Sequence, residues 1–211
     1  LGYTYSLTGQ VFYWGDSGGM SLYWMSTPYD GEWGDWFMNK TVYTTPGLAE
    51  HHAQFLDSIA GLDSVQQDAA FKAAAIANIK RNPRKFVLNW MANVGRLLFN
   101  YPYSYTPQKL TTYFYLIPNM FIVVALLGSL YPGYLGRKLI PYEIYALFLF
   151  GLVAFAGSSL LSAYERQFRV LVPILLLWIA FVATRIIKLE IRTTSPDNGY
   201  TLKSRYLVPD R

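Results

Sequence analysis

The stretch Thr111–Gly136 reads TTYFYLIPNMFIVVALLGSLYPGYLG and holds no charged side chain. About 20 apolar helical residues cross roughly 30 Å of hydrocarbon, so an uncharged run of this length marks a membrane span. Downstream, Ile144 to Tyr164 is a second uncharged run and Val170 to Thr184 a third. Together they predict transmembrane helices over about 111–131, 142–162 and 169–187. Pro118 lies inside the first and predicts a bend. Glu143 sits at the mouth of the second. Arg169 and Arg185 bracket the third, and their long side chains can reach the polar interface.

The loop at 132–141 and the tail at 189–211 lie on one side of these spans. With the end of the third span they carry Arg137, Lys138, Arg185, Lys188 and Arg192. Basic residues concentrate on the cytoplasmic side, which places residues 1–110 and the 162–168 loop outside. The chain has a net charge of +5. No nucleic-acid recognition pattern accompanies it, and contact with anionic lipid accounts for it. There is no cysteine, which excludes disulfides, a thiolate nucleophile and cysteine-held metal. No basic, then apolar, export signal follows Leu1. A water-facing region outside the membrane without one implies a preceding segment.

Upstream, Val11–Trp14 and Met20–Met25 read as short strands separated by Gly-rich turns. A helix begins at Ser64, read as its N-cap with Gln67 completing a capping box, and ends at Asn82-Pro83. A second helix over about 83–100 is amphipathic. Phe86, Trp90, Val94, Leu97 and Leu98 form one face; Lys85, Asn89, Asn93, Arg96 and Asn100 form the other. It suits either the plane of a membrane interface, with Phe86, Trp90 and Arg96 as its interfacial residues, or the core of the water-facing region. The expected fold is therefore an α-helical membrane protein. Three transmembrane helices follow a mixed α/β extracytoplasmic region with an interfacial amphipathic helix.

Few groups suggest chemistry. Arg166 and Arg169, in Glu165-Arg166-Gln167-Phe168-Arg169, stand at the outer start of the third span. Guanidiniums beside a helix N-terminus suit a lipid phosphate; topological anchoring with a Glu165–Arg169 ion pair is the plainer reading. Trp14, Tyr23, Trp24, Trp33 and Trp36 could stack a sugar or pack at the interface. Asp16, Asp30, Glu32 and Asp35 could supply a base or hold a cation, yet their Gly-rich setting predicts that they face water. His51 and His52 are adjacent, so their side chains should diverge, and no carboxylate follows at i+4. No metal site is expected there. The glycines at 15–19 lack the Lys-Ser/Thr ending of a phosphate-binding loop.

Three segments resemble bacterial membrane glycosyltransferases of the GT-C superfamily, in the branch of dolichyl-phosphate-mannose protein mannosyltransferases and lipid A aminoarabinose transferases. They are Phe12-Tyr13-Trp14 through Gly18-Gly19-Met20-Ser21-Leu22-Tyr23, Ala77 to Phe86 around Asn82-Pro83, and Glu165 to Arg169 with Pro173. The resemblance covers about 10–188 and implies the C-terminal half of such an enzyme, in a bacterial inner membrane. Its donor would be a polyprenyl-phosphate sugar, and Arg166 and Arg169 would hold the lipid phosphate. The family's catalytic carboxylate lies in a first outer loop that these residues do not include, so no catalytic residue is assigned and the chain by itself is expected to be inactive. The other open reading is a non-catalytic subunit of a larger membrane complex. Either way the expected partners are membrane lipids, a polyprenyl phosphate or phospholipid among them, and other membrane subunits or a missing N-terminal portion. No further cofactor is expected.

Overall fold

The computed structural model describes residues 2–9, 17–107, 109–192 and 201–206. The chain divides into two compact units. The first comprises residues 1–112 with 156–165; the second comprises 113–155 with 166–211.

Among the described residues the first unit is helical: α1 (Gly2–Thr8), α2 (Gly18–Met25), α3 (Asn39–Thr44), α4 (Pro46–Ile59), α5 (Ser64–Arg81) and α6 (Pro83–Phe99). The mixed α/β expectation fails here. Met20–Met25, read as a strand, lies in α2, and Val11–Trp14 falls outside the described residues. The reason lies in the packing against α5. The Gly19 amide donates to the Asp68 carboxylate at 2.6 Å, and a Cβ at Gly19 would lie 2.2 Å from the Asp68 carbonyl oxygen. The absence of a side chain at Gly19 lets the helices close to that distance and bury Tyr23 and Trp24 against Phe71 and Ala75. Leu48 and Leu56 of α4 complete the same core. Asp63, not Ser64, caps α5, accepting the Gln66 amide at 2.8 Å. A carboxylate there also meets the positive end of the helix dipole.

Helix α6 starts with Pro83 in its first turn and ends on Asn100, which takes the left-handed conformation. Its buried positions are Asn89, Ala92, Asn93, Arg96 and Leu97, a single stripe at helical spacing. That stripe is mostly polar. Val87, Leu88, Trp90 and Met91 are exposed. The polar side chains turn inward because irregular backbone there needs donors. Asn89 donates to the Met25 and Thr27 carbonyls at 3.0 and 2.9 Å. Asn93 donates to those of Ser159 and Leu161 at 2.8 and 2.7 Å. Arg96 donates to those of Trp33 and Pro102 at 2.8 and 3.1 Å. A buried carbonyl without a donor costs about 1–3 kcal/mol, so this pairing outweighs the loss of apolar burial.

The second unit holds α7 (Thr111–Leu135), α8 (Tyr142–Ser159) and α9 (Glu165–Phe181), the last continuing as a π turn over Val182–Ile186; the start of α7 and the ends of α8 and α9 that adjoin the 160–164 loop count with the first unit. All three are long and apolar enough to cross a membrane. Their packing is thin and specific. Trp178 stacks on Phe148 with ring centroids 4.2 Å apart and donates its indole N–H to Ser129 at 3.0 Å. Gly133 leaves room for that indole: an added Cβ would lie 2.8 Å from it. Elsewhere Phe114, Phe121, Val124, Phe150, Val153 and Val170 face outward. Such a surface would be untenable in water and is ordinary in hydrocarbon. The chain is an integral membrane protein. Beyond the third span, Ile187–Arg192 (β1) and Thr201–Tyr206 (β2) pair antiparallel, Ile187 opposite Tyr206.

Candidate functional site

In the first unit two histidines converge on one buried carboxylate. Helix α4 is amphipathic, and its buried stripe is Leu48, His52, Leu56 and Ile59. His52 therefore points into the core at an apolar position. The α2–α3 loop passes over it and carries Glu32, only 1% exposed. His52 Nε2 lies 3.0 Å from Glu32 Oε2, and His51 Nδ1 lies 2.7 Å from Oε1. The neighbouring rings diverge as expected, with planes 84° apart. They still converge on Glu32 because His51 uses its near nitrogen and His52 its far one. The difference in reach compensates for the 100° step along the helix.

A second layer fixes these three. The Tyr23 hydroxyl meets His52 Nδ1 at 2.8 Å. Thr27 donates its hydroxyl to Glu32 Oε2. Tyr29 stacks flat on His51, centroids 3.8 Å apart. Lys85 of α6 donates to the Glu32 backbone carbonyl and to Asn89. Burial pushes the Glu32 carboxyl up, but the hydrogen bond and charge of His52, with the hydrogen bonds of Thr27 and His51, outweigh it and hold the group below the usual carboxylate range. Burial also raises the Tyr23 phenol well above its ordinary value, so that hydroxyl stays protonated.

A second network lies nearby on the same unit. Asp35, 2% exposed, accepts the Ser104 amide at 2.8 Å and the Ser104 hydroxyl, and faces Arg96 at 3.9 Å. Glu32 and Asp35, expected to face water, are thus both buried and fully engaged; Asp30 is exposed. Asp16 and Trp14 fall outside the described residues. Tyr23 and Trp24 belong to the core and cannot form a stacking platform. Trp33 is part-exposed, with the Lys85 ammonium 5.3 Å from its ring centroid. Of the interfacial set, Phe86 is half-buried and Trp90 is exposed, its indole donating to Ser159. Arg96 is fully buried, directed inward by the carbonyls it serves.

Arg166 and Arg169 occupy the first turns of α9, three positions apart and therefore on one side of it. Both are exposed. The Arg169 guanidinium lies 4.6 Å from the Tyr115 ring centroid. The histidine–carboxylate cluster was missed because no fixed spacing links a loop carboxylate to a distant helix. One signal existed: a histidine at the centre of the apolar stripe of α4 needs a buried partner. Comparison with protein-family models, with curated proteins and with solved structures returned no match.

Proposed function

We propose that this chain is the C-terminal portion of a GT-C-type membrane glycosyltransferase that uses a polyprenyl-phosphate sugar. Its contribution is the lipid-phosphate site; the acceptor-activating carboxylate belongs to spans outside these residues. The observation that carries the reading is the pair Arg166 and Arg169, both exposed on one side of the first turns of a membrane-spanning helix. Two guanidiniums there match phosphate oxygens bidentately, and the helix dipole adds to the attraction. The outward apolar face of α6 supports the reading, since Val87, Leu88, Trp90 and Met91 suit a lipid interface. On this reading the first unit lies on the periplasmic face of a bacterial inner membrane, with both basic loops cytoplasmic.

The test is binding of undecaprenyl phosphate to the full chain in nanodiscs, followed by native mass spectrometry. Arg166→Ala with Arg169→Ala should weaken binding at least a hundredfold, since charged hydrogen bonds contribute about 1.5–3 kcal/mol each. Uncharged undecaprenol should bind neither protein. Equal retention of the phosphate by the variant would refute the site.

A further inference from the structure

We propose that Glu32, His51 and His52 form a binding site for one divalent transition-metal ion, with zinc the best match. The inference rests on the first unit alone and is independent of the glycosyltransferase reading.

The donor set is the first argument. Two imidazoles and one carboxylate bring their ligand atoms within 4.8 Å of one another. Zinc bonds of about 2.0–2.1 Å in a tetrahedron give ligand edges of about 3.4 Å. The distances from the carboxylate to His51 Nδ1 and His52 Nε2, 2.7 and 3.0 Å, open to that value with sub-ångström movements. An ion would displace any proton that a histidine nitrogen shares with the carboxylate along those lines. Two histidine nitrogens favour zinc and its neighbours over magnesium or calcium, which prefer all-oxygen sites. Three protein ligands leave a fourth position for water or a further ligand.

The second argument is the support behind each ligand. A metal-bound histidine carries its proton on the other ring nitrogen and needs an acceptor there. The Tyr23 hydroxyl oxygen sits 2.8 Å from His52 Nδ1 and can take it. Thr27 holds Glu32 Oε2, and Tyr29 fixes the plane of His51 by stacking. These contacts set rotamers before any ion arrives. The third argument is charge. No lysine or arginine is paired with the Glu32 side chain among the described residues: Lys85 reaches only its backbone carbonyl. Among the described residues the only groups that can balance the charge of this buried carboxylate by direct contact are His51 and His52, and a divalent cation would take over that role from their protons. His51, at 26% side-chain exposure, forms the open side of the site, while His52 and Glu32 form its sealed floor.

The experiment uses the full chain in nanodiscs, stripped with chelator, desalted, and titrated with zinc chloride by calorimetry. Bound metal is counted by mass spectrometry. One zinc per chain is expected, and the thermal midpoint should rise with zinc. His51→Ala removes the exposed ligand with least damage to the core; it should lose about a hundredfold or more in affinity and lose the thermal shift. Cobalt(II) gives an independent readout that needs no variant: the intense visible bands of a four-coordinate nitrogen–oxygen site in the wild type. Stoichiometry well below one, weak octahedral cobalt bands, or unchanged zinc affinity in His51→Ala would each overturn the proposal.

Discussion

Asn93 offers the sharpest test of how the first unit is held together. Its side chain is fully buried and makes four hydrogen bonds. Its amide nitrogen donates to the Ser159 and Leu161 carbonyls at 2.8 and 2.7 Å. Its oxygen accepts the Ala163 amide at 3.0 Å and an Arg96 N–H at 3.1 Å. Asn93→Ala deletes all four and leaves three backbone groups and one guanidinium N–H without that partner. Each loss costs about 1 kcal/mol or more where water cannot enter, so the total is about 4 kcal/mol. Every 1.4 kcal/mol is a tenfold change in an equilibrium. Exchange of the Ala163 amide, which opens with this clamp, should therefore accelerate on the order of a thousandfold. Hydrogen exchange on the full chain in nanodiscs, read on peptides covering 159–164 and α6, measures it directly. Asn93→Asp should be no better, because it sets a carboxylate against two carbonyl oxygens. Gln54→Ala, at an exposed position of α4, should change nothing. Acceleration of less than tenfold in Asn93→Ala would show that water or relaxation replaces these bonds, and that the buried polar stripe of α6 is not what fastens the segment.

Two further tests address the helix contact and the alkaline limit. Gly19→Ala places a Cβ 2.2 Å from the Asp68 carbonyl oxygen and should destabilise the unit by about 3 kcal/mol, whereas Gly18→Ala meets nothing within 4 Å and should be neutral. Thermal melts of the two variants should separate by on the order of 10 °C, and coincident melts would contradict the close α2–α5 contact. Burial first, then the charges of Glu165 and Tyr164, push the Tyr103 phenol up to about 12. The raised value means the fold binds the protonated form, so this stabilisation is complete below about pH 10, the ordinary tyrosine value, and is lost as pH rises towards 12. Tyr103→Phe should flatten that part of the alkaline denaturation curve; an unchanged curve would rule out the contribution.

The membrane spans were legible because charge is either present or absent. Nothing in tertiary structure can move an arginine into Thr111–Gly136. Helix ends were less so: Asp63 and Ser64 are both good caps, and one residue separates the reading from the structure. Met20–Met25 misled for a physical reason. Nearly every position there is apolar, so the stretch has no period to distinguish strand from helix, and the deciding contact, Gly19 on Asp68, is remote in sequence. The Glu32 cluster was hidden by the same remoteness. His52 alone was visible as a polar residue in the stripe Leu48, Leu56, Ile59, and it indicated that a partner exists without saying which.

Helix α6 shows what such a stripe can and cannot reveal. The periodicity of Lys85, Asn89, Asn93 and Arg96 states that two faces differ; it does not state which one is buried. In a soluble domain the apolar face goes inward, because water is the only alternative. In a membrane protein an apolar surface has another favourable environment, so that rule loses its force. The inward face is then chosen by what the interior lacks. Here the interior contains the helix ends at Met25 and Ser159 and loop backbone at Thr27, Trp33, Pro102 and Leu161, whose carbonyls these side chains satisfy. Two asparagines and an arginine on one helix supply those donors, and a leucine or valine stripe could not. The amphipathic helix is therefore turned over for the same reason that the unit can have so much irregular backbone at its centre.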